Sequence, residues 1–240
     1  GPGETCHTRS GQQDLRRDAG GDFPVDDLPQ KDKKGESAKD CLMEADELLK
    51  SGLGELEIPA SDTLMEKALH YKSLLMRWNR VTNLTAILES EKITSHHLLD
   101  AFSITSFLKG SRILDVGSGA GLPGIPLALI NPDKDFILLD SNGKKTRFMT
   151  QVKIELGLDN VEVIQARVED FEGSFDQVLS RAFASLADFV SSSRHLATSG
   201  NLLAMKGLDL EEELEALDSG SVEVNVHKFS VPGIETERCL

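Results

Sequence analysis

Ile113-Leu114-Asp115-Val116-Gly117-Ser118-Gly119-Ala120-Gly121-Leu122-Pro123-Gly124 decides the reading of this chain: a short apolar run passes directly into a glycine-rich turn. Glycines at 117, 119 and 121 permit positive φ and let the backbone approach a ligand that any Cβ would push away. The turn begins where a parallel strand would end, which is where open α/β sheets bind ligands.

Register and proline select the kind of ligand. A dinucleotide fingerprint starting at Gly117 would place its third glycine at position 122, where Leu122 stands, and the later match at Gly119, Gly121 and Gly124 lies too far past the strand. A pyrophosphate also needs N–H groups at the next helix N-terminus, and Pro123 and Pro126 remove two of them. S-adenosylmethionine carries no phosphate and tolerates that loss. The pattern Asp115-x-Gly117-x-Gly119-x-Gly121 resembles motif I of class I methyltransferases, whose glycines pass close to the methionine part of the cofactor.

Downstream, Phe136-Ile137-Leu138-Leu139 is continuously apolar, as a strand buried on both faces must be, and it ends at Asp140. One βα unit after a glycine loop, such an acid is placed for ribose hydroxyls, although alone it would read as a turn residue or helix cap. Strand patterns near 112–116, 135–140, 161–165, 175–180, 201–206 and 222–231 alternate with helical ones, including a helix over 143–156 that stops at Gly157. The expectation is a doubly wound α/β sheet of the class I methyltransferase (Rossmann-like) type.

Before the sheet, residues 41–108 read as a small helical cap. Thr63 and Glu66 can form a capping box, and Leu64, Ala68, Tyr71, Leu75 and Trp78 recur at steps of four and three. A second helical stretch carries His96 to Ser103. Residues 1–40 hold only Leu15, Phe23, Val25 and Leu28 as large aliphatic or aromatic residues, so they read as a disordered acidic extension or a cloning remnant, suggested by the opening Gly1-Pro2-Gly3. Residues 109–240 form the S-adenosylmethionine-binding domain. Its final antiparallel strand would be only starting where the sequence stops at Glu237-Arg238-Cys239-Leu240.

The 240-residue chain is 39% hydrophobic, and no apolar run approaches the roughly 20 residues of a membrane span. Cys6, Cys41 and Cys239 are odd in number and far apart, which indicates neither a disulfide framework nor a zinc site. A cytoplasmic protein with no membrane partner is expected. The net charge of −14 divides unevenly: 8 Lys+Arg against 15 Asp+Glu over 1–62, 16 against 16 over 63–208, and 2 against 9 over 209–240. All the excess acid therefore lies outside the motif-bearing segment, which can still present a local basic face. Arg77, Arg80, Lys144, Lys145 and Arg147 are candidates for phosphate contact.

Several stretches together resemble one family. Asn83-Leu84-Thr85, His97 to Ser103, Asp115 to Pro126, Leu138 to Ser141 with Lys144-Lys145, Arg167-Val168-Glu169 and Ser180-Arg181-Ala182-Phe183-Ala184-Ser185 occur in the order seen in the glucose-inhibited division protein B family, the bacterial RsmG-type small-subunit rRNA methyltransferases. The resemblance covers roughly residues 45–240. It implies S-adenosylmethionine-dependent methylation of N7 of a guanine in 16S rRNA, with the rRNA or the small ribosomal subunit as partner; a monomer is expected. Alternatives are a class I methyltransferase acting on another RNA or a small molecule, and a non-catalytic ribosome-assembly module. By matching position, the resemblance implies cofactor contacts at Gly117, Leu122, Val168, Glu169 and Arg181, beside Asp115, Gly119, Gly121 and Asp140 from the loop reading.

Arg181 follows a strand end, where its fork could hold a carboxylate or a phosphate, or simply form a surface ion pair. Asn83 and Arg167 are candidates for RNA contact; Asn83 could equally cap a turn. Neighbouring His96 and His97 point about 100° apart on a helix, so no metal site is expected, and His97 with Asp100 would fix the cap against the sheet. No residue is expected to serve as a general base.

Overall fold

In the computed structural model, which describes residues 38–240 except 182, 184, 198–199, 209 and 218–221, β1 (Arg112–Val116) lies at the centre of a parallel sheet. β2 (Asp135–Asp140) and β4 (Gln177–Ser180) flank it, with β3 (Val161–Gln165) and β5 (Asn201–Ala204) at the edges, in the order β3-β2-β1-β4-β5. Leu114 stands level with Ile137 on one side and Val178 on the other. The chain runs outward from β1 to β3 and then crosses back to β4. The order therefore reverses beside β1, where the glycine loop emerges.

The cap precedes the sheet. α1 (Ala38–Glu55) and α2 (Asp62–Thr82) are followed by a helical run over 90–102, made of α3 (Ser90–Ile93), a π-helical turn (Thr94–Leu99) and α4 (Asp100–Phe102). The N-cap of α2 is Ser61, whose Oγ accepts from the Leu64 N–H at 3.2 Å. This corrects the expected Thr63–Glu66 box: Ser61 holds the extended backbone a cap requires, while Thr63 is already inside the helix. Leu64, Ala68, Tyr71 and Leu75 are buried as their spacing predicts, and Trp78 packs its ring 5.6 Å from Phe148. The buried stripe also includes Lys72, whose Nζ reaches Asp46 Oδ1 of α1 at 3.3 Å.

Around the sheet stand α5 (Gly124–Ile130), α6 (Gly143–Leu156), α7 (Leu186–Ser193) and the short α8 (Glu211–Glu215). α6 starts at Asn142, whose side chain caps the Lys144 N–H, and stops at Gly157 with φ of 58°. Strand residues alternate between two cores, as a period of two demands. Ile113, Phe136, Leu138 and Leu179 join Tyr71, Phe148, Met149 and the cap on one face. Leu114, Val116, Ile137, Leu139 and Val178 join Phe189 and Leu196 on the other. Helices on both faces explain why β1 and β2 read as unbroken apolar runs.

Two expected strands are shorter than read: β4 begins at Gln177 and β5 ends at Ala204. The strand expected over 222–231 is corrected to β6 (Lys228–Phe229), which pairs antiparallel with β7 (Arg238–Cys239) and does not join the parallel sheet. Val224 and Val226 in that stretch are exposed, at 46% and 45%. Alternation sets side-chain direction, but a strand also needs a neighbour for its N–H and C=O groups. Cys239 bridges antiparallel to Lys206 just beyond β5 while pairing with Lys228, so β7 lies between β5's continuation and β6.

Candidate functional site

The loop after β1 folds back on the tip of β2. The Gly117 and Ser118 N–H groups both donate to Leu139 O, at 2.8 and 3.1 Å, and the Gly119 N–H donates to Asp140 Oδ2 at 2.9 Å. Gly121 and Leu122 donate to Ser118 O, and Gly124 donates to Asp115 Oδ2 at 3.0 Å. These N–H groups turn inward. The loop therefore lacks the outward fan of donors on which a pyrophosphate sits, a second reason, beside the prolines, to set dinucleotides aside. Gly117, Gly119 and Gly121 all have positive φ, at 68°, 60° and 80°.

The glycines divide by what surrounds them. A Cβ at Gly121 would run into Ile125, and one at Gly124 into Leu138, so these two are required by packing. A Cβ at Gly117 would meet nothing within 4 Å, and one at Gly119 nothing closer than 3.8 Å. The space over Gly117 and Gly119 is an open cradle.

Two carboxylates shape that cradle. Asp140 is 6% exposed, and its second oxygen accepts from the Asn142 N–H at 2.8 Å, while Lys145 Nζ lies 3.8 Å from Oδ2. It thus serves as a turn residue and also braces the glycine loop. Asp115 lies beneath the loop, fully enclosed, and its Oδ1 has no hydrogen-bond partner among the described residues. Burial pushes its pKa up to about 7, against the bonds from Gly124 and Ser118 that lower it.

The cap grips the same loop through a contact that local sequence patterns do not reveal. Tyr71, buried in α2, donates its hydroxyl to Ala120 O at 2.8 Å. Burial raises its pKa far above the ordinary phenol value, so it stays a donor. Leu122 turns its side chain into the first core. Past β3, Arg167 and Glu169 are exposed and Val168 packs into the second core, in a short 3₁₀ turn (Val168–Asp170).

Beyond β4, Arg181 makes a joint with the cap. Its Nη1 donates to His96 O at 3.0 Å and lies 3.4 Å from Asp100 Oδ2, and its Nη2 lies 3.3 Å from His97 Nδ1. His97 Nδ1 also lies 3.0 Å from His96 O, and its Nε2 shares a hydrogen bond with Thr85 Oγ1 at 2.8 Å, so the ring is held from both nitrogens. Burial, with Arg181 nearby, lowers the His97 pKa to about 4, which keeps the ring neutral. Thus His97 and Asp100 do fix the cap to the sheet, by way of Arg181.

Asn83 takes the left-handed C-cap of α2, φ 48°, with its side chain exposed. The polar work in this corner falls to Asn79, missed in the sequence, whose side chain bonds both N–H and C=O of Thr85 at 2.9 and 2.8 Å. A cavity of about 390 Å³ opens beside the Arg181 joint, lined also by His96, Asp100, Lys206, Phe229 and Arg238. Among the described residues no helix is long and apolar enough to cross a membrane, and no three His, Cys, Asp or Glu are grouped to hold a metal ion.

A parallel sheet with an inward-bonded glycine loop after β1, an acid after β2 and an open cradle between them fits the class I methyltransferase fold, and with the family match below the cofactor is S-adenosylmethionine. Residues 64–240 match the family model described as rRNA small subunit methyltransferase G. Proteins of that name from Methylococcus capsulatus, Nitrosococcus oceani and Pseudomonas syringae are 50%, 49% and 48% identical to it. Each alignment covers 80% of this chain, and 95%, 92% and 91% of the respective relative. The chain belongs to the rRNA small subunit methyltransferase G family.

Proposed function

We propose that this protein transfers the methyl group of S-adenosylmethionine to N7 of a guanine in 16S rRNA of the small ribosomal subunit, in the cytoplasm. The observation that carries the reading is the family match over residues 64–240, which includes both the glycine loop and the Arg181 joint. When bound, the cofactor supplies an electrophilic methyl group on a sulfonium. Guanine N7 attacks with a lone pair and has no proton to lose, so the protein must align the reactants more than it must move a proton.

The chain's residues suit that task. The Asp140 bond to Gly119 and the Tyr71 bond to Ala120 hold the cradle from two directions. Gly117, Gly119, Asp140, Val168 and Glu169 would hold the cofactor, with Asp115 and Gly121 shaping the loop from beneath and Leu122 reaching it through its backbone. His97, neutral and bonded on both nitrogens, is a strut and not a base. The target must be unpaired or splayed out, because the deep groove of A-form RNA hides the N7 edge. Exposed Arg77, Lys144 and Arg147 lie on α2 and α6, where they can meet RNA phosphates, and Arg167 is exposed past β3.

The test is transfer of labelled methyl from S-adenosylmethionine to 16S rRNA isolated from cells that lack the enzyme, with the product mapped by cleavage at N7-methylguanine. One labelled guanine is expected. No transfer, or a methyl on another atom, would overturn the reading.

A further inference from the structure

In a chain with a net charge of −14, the ionised side chains lining the 390 Å³ cavity are three cations, Arg181, Lys206 and Arg238, against one carboxylate, Asp100. Lys206 is already engaged: its Nζ lies 2.8 Å from Glu213 Oε2 and donates to Phe183 O at 3.2 Å. The two arginines share Asp100 from opposite oxygens, Arg181 Nη1 at 3.4 Å from Oδ2 and Arg238 Nε at 3.4 Å from Oδ1. One negative charge cannot neutralise two guanidinium groups, so the cavity keeps a positive excess. Arg238 is 26% exposed; its Nη1 donates to Thr236 Oγ1 at 3.2 Å, while its Nε pairs with Asp100 by charge at 3.4 Å.

Position adds to charge. The cavity lies past the carboxyl ends of β4 and β5, across β1 from Asp140 and so on the far side of the glycine loop from it. Ile87, Met205 and Phe229 give it an apolar wall. A pocket of this size with an apolar wall and a cationic rim has the chemistry of a single nucleotide: a flat base against Phe229 and Met205, and a phosphate at the arginine.

We propose that Arg238, held by Asp100 opposite Arg181, contacts the backbone phosphate of the nucleotide that carries the target guanine. This rests on the rRNA methyltransferase reading given above. Asp100 is a positioning residue in this arrangement: it aims two guanidinium groups into one cavity and keeps them apart.

The experiment measures binding of unmethylated 16S rRNA to the full chain, to Arg238→Gln and to Arg238→Lys between 50 and 200 mM salt, alongside S-adenosylmethionine affinity by calorimetry. Loss of one phosphate contact should flatten the slope of log K against log salt by about 0.7 to 1 in Arg238→Gln. Cofactor affinity should not change, and Arg238→Lys should restore the slope, since counter-ion release needs only the charge. An unchanged slope in Arg238→Gln overturns the proposal. So does a slope that Lys fails to restore, which marks Arg238 as structural, or a loss confined to cofactor affinity, which assigns it to the methionine carboxylate. Methyl transfer to the same RNA by the parent chain separates the two readings: a parent that transfers, with an unaltered Arg238→Gln slope, sinks this inference alone, whereas an inactive parent sinks the enzymatic reading and this one with it.

Discussion

Replacing Gly119 with alanine should separate the cofactor's space from the protein's own. The residue has φ of 60°, so any Cβ costs about 1–2 kcal/mol of backbone strain. No protein atom lies within 3.8 Å of that Cβ, and the Gly119 N–H bond to Asp140 survives the change. At about 2–4 °C per kcal/mol for a chain of this size, Tm should fall by about 2–8 °C. If the cradle belongs to S-adenosylmethionine, the same methyl overpacks the complex by about 1–3 kcal/mol, which is roughly a five- to 150-fold rise in Kd. Gly121→Ala is the control: it adds a clash with Ile125, itself fully buried, to comparable strain, so it should lose about 2–5 kcal/mol of stability. Thermal unfolding and calorimetry on both variants decide the matter. A folded Gly119→Ala protein that binds the cofactor as tightly as the parent would refute the assignment of the open space above the loop.

Tyr71→Phe leaves Ala120 O buried without its donor and should weaken cofactor binding while costing about 1–3 kcal/mol of stability; an unchanged affinity would detach the cap from the loop's function. Asp115→Asn tests the buried carboxyl. A pKa of about 7 against 3.8 unfolded means that its stabilising contribution is complete below pH 3.8 and is lost as pH rises to 7, so the variant should gain on the parent across that range in denaturant titrations. His97 runs the other way: its depressed pKa of about 4 makes stability fall as pH drops from 6.5 to 4, and His97→Gln should show a shallower acid loss than the parent. Arg181→Lys keeps the charge but not the simultaneous reach to His96 O, His97 and Asp100, so single-turnover methyl transfer should slow markedly. Its rate should stay flat from pH 6 to 9, and a tenfold rise per pH unit would require a general base.

Local signals were legible where local chemistry is sufficient. The β1 apolar run, the loop glycines, the strand that ends at Asp140 and the helix that stops at Gly157 each follow from side-chain alternation, positive φ or a cap, all of which act within a few residues. The same reasoning overreached at 222–231, where alternation ran on but the partner β7 pairs only with Lys228 and Phe229, and at Thr63, where Ser61 already held the capping conformation. At the site, residue types were readable but their partners were not. Arg181 was marked as a fork for an anion or an ion-pair partner, and nothing nearby in sequence could tell that it meets His96 and Asp100, 85 and 81 residues away.

By itself, then, the sequence determined that a parallel α/β sheet would carry a glycine loop of positive φ after its first strand, because glycine φ preferences and apolar periodicity are local properties. Only the tertiary structure decided that Tyr71 grips that loop at Ala120, that Asp115 is sealed beneath it, and that Arg181 and Arg238 converge on Asp100. These pairings join segments brought together by the β1–β4 crossover and by the cap's packing. Which buried donor finds which acceptor is set by the whole core closing around them.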